Sequence, residues 1–192
     1  MYLFRRGQGL SADQGSFVQD ILHHEEIAKG TEARQHLQFV LAKTDHLDDV
    51  MASLSFLEAT AAIDPKRIAI GGHSFGGQLT LLAAERDKRL CAAVTFAAAA
   101  NSWGRSSELR ERLLTAVSKA TAPIMLIHAA NDYSTAPGYA LAGELESLHK
   151  AHLLKIYPSV GRTSEDGHNF LYLAIPQWEN DVFKFLDEHV KR

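Results

Sequence analysis

The sequence predicts an α/β protein, a mostly parallel sheet with helices on both faces, and three observations carry that expectation. From residue 67 onward, short apolar runs alternate with segments of helical composition. The apolar runs are continuous instead of alternating with polar residues, as in strands buried on both faces. The segments between them are long enough for crossover helices.

In chain order, Leu3-Phe4 reads as the end of a strand, followed by the glycine-punctuated loop Arg5-Arg6-Gly7-Gln8-Gly9. From 16 to 60 there is no strand signal, and two helices are expected, at about 16–29 and 32–58, the second interrupted near Thr44-Asp45. Gly30 reads as a helix stop and Thr31 as the next N-cap, with Glu32 just inside. The first helix is expected to form a partial cap over the site, the second to pack. His23-His24-Glu25-Glu26 has no histidine at position 28 to complete a zinc-binding His-Glu-x-x-His, and reads as a solvated helix face. Strands are then expected at 67–71, 90–96, 123–128 and 152–157, and helices at 78–85, 107–119, 137–150 and 176–190.

At 192 residues the chain is expected to form one domain. A net charge of -3 lacks the basic footprint of nucleic-acid or anionic-membrane binding, so neither partner is expected. No apolar run reaches the ~18 residues of a spanning helix. Met1-Tyr2-Leu3-Phe4-Arg5-Arg6 has the wrong charge order for a signal peptide, and the lone Cys91 cannot form an internal disulfide, so a cytoplasmic protein is expected. Cys91, inside an apolar run, reads as a buried small hydrophobe.

Gly72-His73-Ser74-Phe75-Gly76 carries the chemistry. This Gly-x-Ser-x-Gly pattern lies between an apolar run and a helical segment. A sharp strand-to-helix turn strains the serine backbone and requires small residues two positions away on either side. The hydroxyl then stands at the carboxyl end of the sheet, where the Phe75 N–H at a helix start can receive an oxyanion. Serine needs a histidine base oriented by a carboxylate, and such partners should follow later strands in the order acid, then histidine. Asp132 follows the run ending at His128, and His168 follows the run ending at Tyr157. Asp166 is the rival acid, read as a loop carboxylate. His73 and His128 are rival bases, read as packing residues or supports of the site. Trp103 reads equally as an acyl-pocket wall or a core aromatic, and Tyr133 as a structural hydroxyl that could also line the site.

The segment from Asp64 to Gly77 resembles the nucleophile elbow of α/β-hydrolases, closest to the dienelactone-hydrolase branch and the related prolyl-oligopeptidase-like hydrolases. His128-Ala129-Ala130-Asn131-Asp132 is similar to that group's acid loop, and Asp166-Gly167-His168 to its histidine loop. Arg5-Arg6-Gly7-Gln8-Gly9 is similar to the loop after the family's fourth strand. The resemblance implies an α/β-hydrolase fold with a reduced sheet, and ester hydrolysis through Ser74, Asp132 and His168 without metal or cofactor. Dienelactone hydrolases use a cysteine nucleophile, so Ser74 favours a general carboxylesterase acting on small, uncharged acyl esters. The family's first three strands, which normally supply the second oxyanion donor, have no counterpart here. Backbone amides of residues 5–8, Gly7 among them, or groups from another chain are the candidate substitutes. The strand at 67–71 would then be an exposed edge unless Leu3-Phe4 slides in beside it or a second subunit covers it, and a homodimer with the N-terminal segment at or near the interface is expected. Two other readings stand beside the esterase: a small peptidase or acyl-aminoacyl hydrolase, for which the chain holds no propeller segment to gate peptides, and an inactive hydrolase remnant that binds a ligand or partner.

Overall fold

Parallel strands need crossovers, and the second part of the chain supplies a helix after each strand. A computed structural model describes residues 1–190. Four strands, β1 (Ile68–His73), β2 (Leu90–Phe96), β3 (Ile124–Ala129) and β4 (His152–Tyr157), form one parallel sheet in the order β1-β2-β3-β4. The connecting helices are α4 (Phe75–Arg86), α5 (Ser107–Lys119) and α6 (Ala136–Ser147). A sheet that grows in one direction through right-handed crossovers puts its connecting helices on one face. The opposite face is closed by α8 (Phe170–Leu173) and α9 (Ile175–Val190), which follow the short α7 (Ser164–His168). Strand alternation divides the core accordingly. Ala92, Val94 and Phe96 of β2 and Met125, Ile127 and Ala129 of β3 pack with Phe170, Ala174, Val182 and Phe185. Every residue of β3 is buried, which accounts for its apolar sequence from Ile124 to Ile127.

The unit from Ala62 onward contains this sheet; Met1–Ala61 forms a second compact unit. Its helices are α1 (Val18–Lys29), α2 (Thr31–Lys43) and α3 (Asp45–Glu58), after a 3-10 turn at Gly9–Gln14. The break expected near Thr44 is present, but the cap at the α1–α2 junction lies one residue earlier than expected. Gly30 is the N-cap and Thr31 the first helical residue, its hydroxyl directed back to Glu26 (3.2 Å). His23 and His24 are exposed on α1, and Glu25 and Glu26 pair with Lys29 and Arg34. No helix among the described residues is long and apolar enough to cross a membrane.

Three further expectations are corrected. Leu3-Phe4 is not in a strand, because the segment turns instead of finding a ladder: the Gln8 amide donates to the Arg5 carbonyl (3.1 Å), and Arg6 binds Asp49 through both its amide and its guanidinium. Cys91 is only half-buried. The β1–β2 register shifts between Ile68 and Ala69, so Cys91 is bulged out of the pairing and its thiol reaches the Lys66 carbonyl (2.8 Å). Of the amides of residues 5–8 expected as oxyanion donors, those of residues 6–8 are committed elsewhere. Arg6 N–H binds Asp49, Gly7 N–H binds the Ser11 carbonyl (2.9 Å), and Gln8 N–H binds Arg5.

In the N-terminal unit, burial, reinforced by Arg5 and opposed by Asp49, lowers the pKa of His46 on α3 from 6.5 to about 4. A histidine kept neutral in the fold but protonated when unfolded makes the unfolded chain bind more protons. Stability from this group is therefore full above pH 6.5 and is lost as the pH falls from there towards about 4. The protection of α3 amides, corrected for the intrinsic exchange rate at each pH, should decline over that window, and His46→Gln should flatten the dependence.

Candidate active site

Ser74 is the single residue between β1 and α4, and its backbone shows what the turn demands. Its φ of 53° and ψ of -113° are strained for a residue with a Cβ, a conformation that costs about 1–3 kcal/mol and persists only where surroundings enforce it. The enforcement is visible: the Ser74 amide donates to the carbonyl of Phe96 at the end of β2 (2.8 Å). A Cβ on Gly72 would lie 2.3 Å from the Gly76 carbonyl oxygen, and one on Gly77 would lie 2.8 Å from the Ala98 Cβ. A Cβ on Gly76 would meet nothing within 4 Å. The small residues that the turn requires are thus Gly72 and Gly77, not the flanking pair Gly72 and Gly76 expected from the motif.

The later loops bring two more side chains to this serine. Asp132 lies just past β3 with its side chain fully shielded, and His168 is the last residue of α7. A carboxylate only accepts, so His168 Nδ1–H donates to Asp132 Oδ1 (2.8 Å), and Nε2 accepts from the Ser74 hydroxyl (2.8 Å). Burial pushes the Asp132 carboxyl upward, but hydrogen bonds from His128 and His168 outweigh it and hold the group below the ordinary carboxylate value. The acid therefore stays ionised and fixes the histidine tautomer.

The surroundings hold the imidazole on both sides. Its ring lies 4.9 Å from that of His73 and 5.0 Å from that of Tyr133, centroid to centroid. His73 Nε2–H donates to the backbone carbonyl of His168 (2.7 Å), tying the end of α7 to the end of β1. Burial lowers the His73 pKa and favours this neutral donor. Tyr133 gives its amide to Asp132 Oδ1 (2.8 Å) and its hydroxyl to Glu165. Asn131 was not singled out in the sequence, yet it joins the two loops. Its Nδ2 donates to the carbonyls of Val160 (2.7 Å) and Thr163 (2.8 Å), and its Oδ1 accepts from the Val160 amide (2.9 Å). Gly167 permits the approach, since a Cβ there would lie 2.5 Å from the Asn131 backbone.

Asp166, the rival acid, is used differently. It accepts the amides of Arg162 and Thr163 while its own amide binds Thr163 Oγ1, a capping box that builds α7. The signal was present as Thr163-x-x-Asp166. Trp103 occupies a packed position, 8% exposed, with its amide on Ala99 (2.8 Å) and its carbonyl on Arg110 (2.7 Å). Phe75 is the first residue of α4. Gly7 belongs to the other unit, its N–H bound to Ser11. Chemically, a strained serine hydrogen-bonded to a histidine, itself bonded to a buried carboxylate, can activate a hydroxyl for attack on an acyl carbon.

The sequence model of the dienelactone hydrolase family matches residues 12–171. Comparison with curated proteins gives no match. Among solved structures, the fold is similar to an acylaminoacyl peptidase of Pyrococcus horikoshii (TM-score 0.63, 19% identity over 81% of this chain). It is also similar to an acetyl ester-xyloside bifunctional hydrolase of Caldicellulosiruptor lactoaceticus (0.59, 19%, 76%) and to dipeptidyl peptidase 4 of Porphyromonas gingivalis (0.61, 17%, 77%). The chain spans 30%, 66% and 23% of those three chains respectively. Together these likenesses establish the α/β-hydrolase fold, here with a four-stranded parallel sheet.

The glycine geometry gives a direct expectation. Gly72→Ala should lower stability by about 1–3 kcal/mol, since backbone must move to admit the methyl group. Gly76→Ala should leave stability unchanged or raise it by up to about 1 kcal/mol, as alanine favours helix over glycine. Tryptophan-detected thermal unfolding reads this unit specifically, because both tryptophans, Trp103 and Trp178, lie in it.

Proposed function

The chain belongs to the dienelactone hydrolase family, and from that premise we propose that it is a serine carboxylesterase acting on small, uncharged acyl esters. The observation that carries this reading is the continuous hydrogen-bonded chain from Ser74 through His168 to Asp132. Ser74 Oγ attacks the ester carbonyl while His168 Nε2 takes the hydroxyl proton, and Asp132 stabilises the imidazolium that forms. The tetrahedral oxyanion is received by the Phe75 N–H at the head of α4. Collapse expels the alcohol, which leaves with the proton from His168, and an acyl-Ser74 ester remains. Water then attacks the acyl carbon while His168 takes its proton; collapse releases the carboxylic acid, and His168 returns the proton to Ser74 Oγ.

A fluorophosphonate probe tests the reading. Wild-type protein should be labelled and Ser74→Ala should not; an unlabelled wild type would favour the binding remnant instead. With short-chain esters, Ser74→Ala and His168→Ala should each reduce kcat by several orders of magnitude, because the groups act as a unit. Asp132→Asn should be comparably impaired and Asp166→Asn should retain turnover, the reverse pattern identifying Asp166 as the acid. kcat/KM should fall as the pH is lowered, since only the neutral imidazole accepts the serine proton. Faster cleavage of acyl-peptide amides than of matched esters would point to a peptidase.

We further propose a homodimer with the N-terminal segment at or near the interface. Among the described residues β1 pairs on one side only, and Leu3-Phe4 does not extend the sheet, so an apolar edge strand without Lys or Pro is left to be covered. Light scattering at micromolar concentration should give twice the 21.2 kDa chain mass; an active monomer would contradict the dimer.

A further inference from the structure

We propose that His128 is a positioning residue for the same reaction, setting the orientation and basicity of Asp132; this rests on the hydrolase reading above. His128 lies on β3 with its side chain almost wholly buried, and its Nδ1–H donates to Asp132 Oδ2 (2.8 Å). The acid thereby holds two imidazoles, one on each oxygen: His168 on Oδ1, beside the Tyr133 amide, and His128 on Oδ2. A carboxylate can turn about its Cβ–Cγ bond, and a donor on Oδ2 stops that rotation with Oδ1 facing His168.

The donor is itself immobile. α6 passes so close that a Cβ on Gly138 would lie 2.8 Å from His128 Cδ2 and 3.2 Å from its Nε2, with Leu154 of β4 also against that position. The ring is thus wedged between the sheet and α6, with Nδ1 aimed at the acid. Removing the donor would leave a shielded anionic oxygen unsatisfied, with two consequences. The carboxylate would lose its fixed orientation, and, being less neutralised, would stabilise the His168 imidazolium more strongly. The other ionisable groups near this pair are His73 at the end of β1, which interacts with both His168 and Asp132, Tyr133 beside the acid, and Glu165 on α7. None of them hydrogen-bonds to Oδ2.

The test compares His128→Leu, which removes the donor, with His128→Asn, whose side-chain amide can donate from near the Nδ1 position. With a short-chain ester, His128→Leu should lower kcat about tenfold to a hundredfold, the range seen when outer partners that orient a reacting ligand are lost. KM should change little, and the acid limb of the pH profile should move to higher pH. His128→Asn should recover most of kcat and the wild-type limb. Proton NMR of the resting protein supplies a readout independent of turnover. Wild type should show two far-downfield imidazole N–H signals, one lost in His128→Ala or His128→Leu and the other displaced. A His168 signal unmoved in those variants, or equal loss of kcat in the Leu and Asn variants, would overturn the proposal. If the wild type turns over no ester while the His168 signal still responds to His128, the esterase reading fails and the positioning stands. Should His128→Leu fail to fold, His128→Gln, whose amide reaches the Nε2 position instead, takes its place with the same expected loss.

Discussion

A carboxylate shielded from water must find all its hydrogen bonds within the protein, and at Asp132 that requirement organises everything around it. Leaving such a group unpaired costs several kcal/mol, so the side chains that supply donors are constrained together. One donor comes from the preceding strand (His128), one from the adjacent backbone (Tyr133), and one from the end of α7, 36 residues later (His168). The third is the costly one, because the loops that follow the neighbouring strands β3 and β4 must be held together beyond the ladder. Asn131 and Gly167 do this, the first by bridging the loops with three hydrogen bonds and the second by offering no side chain where the backbones nearly touch. His73 adds a tie from the Ser74 side.

The elbow solves the complementary problem of presenting Ser74. Its strain is sustained by the sheet: the amide bond from Ser74 to the Phe96 carbonyl couples the turn to β2, and the close approach of Gly77 to Ala98 couples α4 to the loop that follows it. That loop is itself strained, with Ala97 and Ala99 at positive φ, and Ala97 is bonded to the Ile127 carbonyl of β3. The rigid, wholly buried β3 is therefore the common anchor: its residue Ile127 holds the loop under the elbow, while the acid follows directly from its end.

The sheet and the catalytic candidates were legible because each left a local signature. β2, α5 and β4 fall at the expected residues: β2 is a continuous apolar run, β4 is closed by Pro158, and α5 begins at its Ser106 cap. Ser74 was marked by its glycines, and Asp132 and His168 by their places after strands. What escaped depends on through-space fit. Gly77 matters because of Ala98, 21 residues away; Asn131 because of Val160 and Thr163; the half-burial of Cys91 because of a bulge in the pairing with β1. Leu3-Phe4 has strand-like composition, but a strand exists only with a partner, and composition carries no information about one.

If Ser74 is the nucleophile, it becomes covalently acylated in each turnover. Rapid quenching of the protein with an activated short-chain ester, followed by intact-mass and peptide mapping, tests it most directly. One acyl increment is expected on the peptide containing Ser74, formed in the wild type, accumulating when deacylation is slow, and absent in Ser74→Ala. Steady ester turnover with no increment on that peptide, or an acyl group carried by another residue, would contradict it.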